Sequence, residues 1–66
     1  MAAVDNFAQF NASLPEAMRK AVEGTTQQAR EGLLAARSED ARNRIVEEYI
    51  RLVRELQEKE GRRRQG

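Results

Sequence analysis

Cysteine, histidine and tryptophan are absent from this chain of 66 residues, and the first two absences each remove a class of chemistry. Without cysteine there is no disulfide framework and no thiolate metal site. Without histidine as well, Ser/His and Cys/His nucleophile systems are excluded. A general base would have to be Asp, Glu, Lys or Tyr in a pocket that shifts its pKa. The carboxylates, however, fall on polar faces or helix starts, and neighbours such as Glu47-Glu48 and Glu58/Glu60 read as solvated ladders. No Gly-rich phosphate loop or metal-ligand spacing occurs. The expectation is a non-enzyme with no catalytic residues, no metal site and no cofactor.

Long apolar runs are missing too. No stretch approaches the roughly 18 residues of a membrane span. Met1-Ala2-Ala3-Val4-Asp5 offers neither the basic start nor the apolar run of a secretory leader. The expected compartment is the cytoplasm, and Asn11-Ala12-Ser13 then matches the glycosylation pattern by chance. Charge is abundant but balanced: 12 basic and 11 acidic residues give a net charge of +1, which selects no polyanionic partner. The excess lies late in the chain, in Arg62-Arg63-Arg64. A chain this short buries only about 60% of its unfolded surface and usually needs a staple or a partner.

The single proline, Pro15, marks a helix start. Ser13 is placed to cap, Pro15 sits in the first turn where its missing N–H costs nothing, and Glu16 faces the positive helix end. Turned at 100° per residue, Leu14, Met18, Ala21, Val22, Thr25, Ala29, Gly32, Leu33 and Ala36 fall within about 60° of Met18. Arg19, Lys20, Glu23, Gln27, Arg30 and Glu31 take the opposite side, and Leu34 points to that polar side. The pattern predicts one amphipathic helix over about 14–36, with Met18, Val22, Ala29 and Leu33 as packing residues. Gly24 and Gly32 weaken it by about 1 kcal/mol each relative to alanine.

Arg37-Ser38-Glu39-Asp40 is the break, with Ser38 capping a second helix over about 39–60 that stops at Gly61. Two apolar stripes run along this helix. Ala41, Ile45, Tyr49, Leu52 and Leu56 form one, and Val46, Ile50 and Val53 form the other. Asp40/Arg44, Glu47/Arg51 and Glu55/Lys59 are spaced for i,i+4 pairing. Residues 61–66 are expected to be a disordered basic tail that solubilises the chain rather than grips phosphate. The short connection predicts an all-α antiparallel helical hairpin, coiled-coil-like in its packing. One hairpin partner covers one stripe, so Val46, Ile50 and Val53, with Tyr49, Leu52 and Leu56 beside them, are left to bind a second copy, a larger protein or an apolar surface. Two hairpins closing as a dimeric four-helix bundle is the simplest solution.

Residues 1–13 fit two patterns. Val4, Phe7, Ala8 and Asn11 have helical spacing, whereas Ala8, Phe10, Ala12 and Leu14 alternate with Gln9, Asn11 and Ser13 as in a half-buried strand. A short helix or loose arm is favoured, because a lone strand needs a partner chain.

Two family resemblances attach to these segments. Leu14-Pro-Glu-Ala-Met-Arg19, then Glu23, then Gln28-Ala-Arg-Glu31, is similar to the start of the helical region of proteobacterial phasins, which coat polyhydroxyalkanoate granules. That resemblance implies a coat or scaffold whose stripe Met18, Val22, Ala29 and Leu33 packs in a bundle or rests on polymer. Phe7 to Met18 resembles the opening of a ribbon-helix-helix repressor, and Arg44 to Tyr49 more distantly resembles that family's second helix. This alternative implies a strand over 7–14 in the DNA major groove, with Gln9, Asn11 and Ser13 on base edges. A third reading is a small accessory or phage-type regulatory subunit docked on a larger protein.

Overall fold

The computed structural model describes residues 2–65, with side chains described as far as residue 61. The fold is all-α: α1 (Ala2–Ser13), α2 (Glu16–Ala21), α3 (Glu23–Ala35) and α4 (Glu39–Gln65). At a rise of about 1.5 Å per residue, the 27 residues of α4 span nearly the whole 43 Å long axis of the molecule. The other helices lie along it.

The expected hairpin is present. Ser38 caps α4 through its Oγ, which accepts the Ala41 N–H at 3.1 Å, and residues 36–38 reverse the chain. Gly32 then lies against Ile45, and Thr26 lies against Tyr49 farther along, so α3 runs antiparallel to α4.

The expected single helix over 14–36 is corrected in two ways. It starts at Glu16 rather than Leu14, and Pro15 itself is the cap residue, with φ −59° and ψ 152°. Ser13 is the last residue of α1, and its hydroxyl donates back to the Phe10 carbonyl at 2.7 Å instead of capping forward. Proline has no N–H to continue α1 and disfavours helical backbone at Leu14, so it separates the two helices. The rod also bends at Val22 (φ −104°, ψ 13°), between α2 and α3. The bonds Val22 N–H to Met18 O (3.0 Å) and Thr26 N–H to Val22 O (2.8 Å) carry it through the bend. Val22 and Thr25-Thr26 are β-branched and Gly24 is a poor helix former, which accounts for the weak point.

Of the alternatives for residues 1–13, the favoured short helix is the one the described residues adopt: residues 2–13 form α1, which runs parallel to α4 with Ala3 at Glu39 and Phe7, Phe10 and Asn11 at Tyr49. The bundle is therefore built from three rods: α1, the bent α2–α3 pair, and α4. Its core is Ala3, Phe7, Leu14, Val22, Ala29, Leu33, Val46, Tyr49 and Val53, with Phe10, Met18, Ile45 and Ile50 packed against it. The second stripe of α4 is thus covered within one chain: Val46 is 4% and Val53 0% exposed. The surplus that called for a second hairpin does not exist in this fold.

At the far end, α4 passes through Gly61 to Gln65 rather than stopping at Gly61. No glycine takes a positive φ among the described residues, so Gly61 forms no left-handed cap. Gly66 and the side chains of Arg62, Arg63 and Arg64 lie outside the described residues. Among the described residues no helix is long and apolar enough to cross a membrane.

Candidate interaction surface

One end of the bundle is tied together by Glu39. Its Oε1 accepts the Ala3 N–H at 3.1 Å, and its Oε2 accepts from Arg42 Nε at 3.2 Å. Arg42 Nη1 in turn donates to the Ala36 carbonyl at 3.2 Å. The start of α1, the end of α3 and the start of α4 are joined by this chain of bonds. The Ala3 N–H, followed by the Arg42 side chain, holds the Glu39 carboxyl below its ordinary value of 4.5. Arg42 and Glu39 form an ion pair on α4, and none of the expected pairs Asp40/Arg44, Glu47/Arg51 and Glu55/Lys59 is seen among the described residues.

Above this tie, α1 and α3 both rest on α4, with their backbones set apart from each other. The gap between them is an open groove of about 690 Å³, lined by Val4, Phe7, Ala8, Leu33 and Leu34, with Arg30 and Arg42 among its walls and no carboxylate. Leu34, the residue that points to the polar side of its helix in the sequence, stands at the groove edge 82% exposed, and Val4 is 38% exposed. The gap continues towards Pro15 with a polar lining that includes Arg19, Glu23, Thr26 and Gln27.

A second apolar feature lies on α4. Leu52 and Leu56, one turn apart, are 49% and 38% exposed. The two form an exposed apolar ridge on the outer side of α4.

The residues expected to bind a partner are divided by this arrangement. Val46, Tyr49 and Val53 are buried and already occupied by α1 and α3, Ile50 is half-buried, and only Leu52 and Leu56 remain open. Of the expected packing residues, Val22, Ala29 and Leu33 are in the core, while Met18 and Ile45 are half-buried against it. The bases-reading set is corrected: residues 7–13 are helical and Leu14 lies in a bend, so Gln9, Asn11 and Ser13 do not line one face of a strand. Gln9 and Ser13 are exposed beside Ile50, and Asn11 accepts a hydrogen bond from the Tyr49 hydroxyl. Phe7, Phe10, Thr26 and Leu34 carry the bundle or its surface without having been singled out as site residues. The signal for the phenylalanines is compositional: two of the three aromatic residues fall within residues 7–10, a heavy investment for a frayed arm. Comparison with protein-family models, with characterised proteins and with solved structures found no match to the chain.

Proposed function

We propose that the chain is a non-catalytic helical interaction protein of the coat or scaffold kind, which works through the leucines its own core leaves in water. The carrying observation is that the three rods satisfy one another, yet Leu34, Leu52 and Leu56 stay exposed, one at an apolar groove and two as a ridge. Single exposed leucines are ordinary; a groove and a ridge of them on a molecule this small are a means of contact. The phasin-like reading fits this surface rather than the stripe that suggested it, because Val22, Ala29 and Leu33 face inward. A granule or droplet would be met by the outer leucines.

Co-sedimentation with polyester granules or oil droplets tests the proposal. The folded wild type is expected to pellet with the apolar phase, and Leu34→Glu combined with Leu52→Glu and Leu56→Glu is expected to stay in solution with its helical circular dichroism intact. Equal recovery of both proteins in the supernatant, together with no self-association, would leave the outer leucines without a role.

A further inference from the structure

We infer that the occupant of the α1/α3 groove is the α4 ridge of a second copy of this chain, so that molecules join head to tail. This deepens the proposed reading and rests on it. The groove is apolar along Val4, Phe7, Ala8, Leu33 and Leu34, and its charged lining is the exposed Arg30 together with Arg42, whose guanidinium is already paired with Glu39. The ridge has the opposite character. Glu48 precedes Leu52 by one turn and Glu55 follows it by three residues, so both carboxylates border the Leu52/Leu56 strip on the helix surface. Lys59 closes that strip at its end. An apolar ridge edged by Glu48 and Glu55 thus matches an apolar groove that carries Arg30 on its α3 wall. Charge of this arrangement selects orientation and disfavours like against like, as in groove against groove.

The two surfaces cannot meet within one molecule. The groove runs from the level of Arg42 to that of Tyr49, where Phe7 and Asn11 lie, and neither Leu52 nor Leu56 is in its lining. A contact between unlike patches is heterologous and propagates into open chains or rings rather than closing as a symmetric pair. Such propagation is what a coat or scaffold requires. Arg30 makes the complementarity testable, because it is exposed and outside the core.

The experiment is light scattering on purified full chain at rising concentration, with two blocked variants. Wild type is expected to grow in mass beyond a dimer. Leu34→Glu (groove blocked, ridge intact) and Leu52→Glu/Leu56→Glu (ridge blocked, groove intact) are each expected to remain monomeric. Mixed together, they are expected to form a one-to-one dimer and nothing larger, since each supplies the surface the other lacks. Arg30→Glu is expected to weaken assembly several-fold, and adding Glu48→Arg and Glu55→Arg in the same chain to restore it. These exposed charge changes test the contact even if the leucine variants lose structure. A wild type that stays monomeric at every concentration overturns the inference, and so does a dimer that either blocked variant still forms alone. Droplet binding by such a monomer would sink head-to-tail assembly while leaving the interaction role standing.

Discussion

The hydroxyl of Tyr49 donates to the side-chain oxygen of Asn11, across 38 residues of sequence, and so fixes α1 against α4. Its single proton is used there, so the Thr26 hydroxyl, 2.7 Å away, donates to the Tyr49 oxygen from α3. The ring is 2% exposed and tilts against Phe7 at 5.0 Å and Phe10 at 5.8 Å between centroids. One residue therefore joins all three rods with both apolar and polar contacts.

Tyr49→Phe keeps the ring contacts but takes the shared partner from Asn11 and Thr26. A loss of about 1–3 kcal/mol is expected in urea unfolding. Tyr49→Ala also opens a cavity at the junction, at about 3–5 kcal/mol by comparison with other aromatic truncations. That approaches the whole stability of a domain this size, so circular dichroism should find Tyr49→Ala largely unfolded.

Removing residues 1–13 would uncover Val46, Tyr49 and Val53 together. The shortened chain is expected to bind a hydrophobic dye, and to aggregate or lose its cooperative thermal transition. A compact, dye-silent monomer would mean that α1 contributes little. Phe7→Ala should act the same way in part, at about 3–5 kcal/mol.

The all-α class, the hairpin, the Ser38 cap and the inward face of α3 were legible because each rests on local spacing or cap chemistry. Residues 1–13 were legible only as a preference for helix or arm over strand. Their alternation of Ala8, Phe10, Ala12 and Leu14 competes with the helical spacing of Val4, Phe7, Ala8 and Asn11, and the docking surface on α4 decides between them. The misplaced partner site follows directly. The two stripes of α4 were counted against one neighbouring helix, when two are present. Leu52 and Leu56 escaped that error because both rods leave them uncovered, and Leu34 was visible in sequence as a leucine out of register.

Glu39 makes stability depend on pH in a definite direction. Its carboxyl titrates lower in the folded chain than its ordinary value of 4.5, because the ionised form accepts from Ala3 and Arg42. Its contribution is therefore fully present above that value and is lost as pH falls through the lower folded value. Thermal melts of Glu39→Gln should show a shallower decline than wild type on acidification below the ordinary value. Identical acid profiles would remove Glu39 from the account. Ser38→Ala, which deletes the neighbouring cap, should cost about 1 kcal/mol with no such pH signature.

The two glycines of α3 are expected to respond differently to alanine. Gly24 has nothing within 4 Å of a new Cβ, so Gly24→Ala should gain close to the full helix preference of about 1 kcal/mol. At Gly32 the new atom would meet Ile45 Cδ1 at 3.3 Å, and crowding there should offset the gain. Paired urea titrations would separate them. A stabilisation at Gly32 equal to that at Gly24 would show that the Ile45 side chain turns aside freely.

Because α1 packs mainly on α4, its greasy side lacks its main resting place until α4 has been made. Ala3, Phe7 and Phe10 leave the ribosome before Tyr49 and Val53 and wait until those have followed. Nascent chains stalled short of Tyr49 should therefore recruit chaperones through this first segment, and release them once α4 is out.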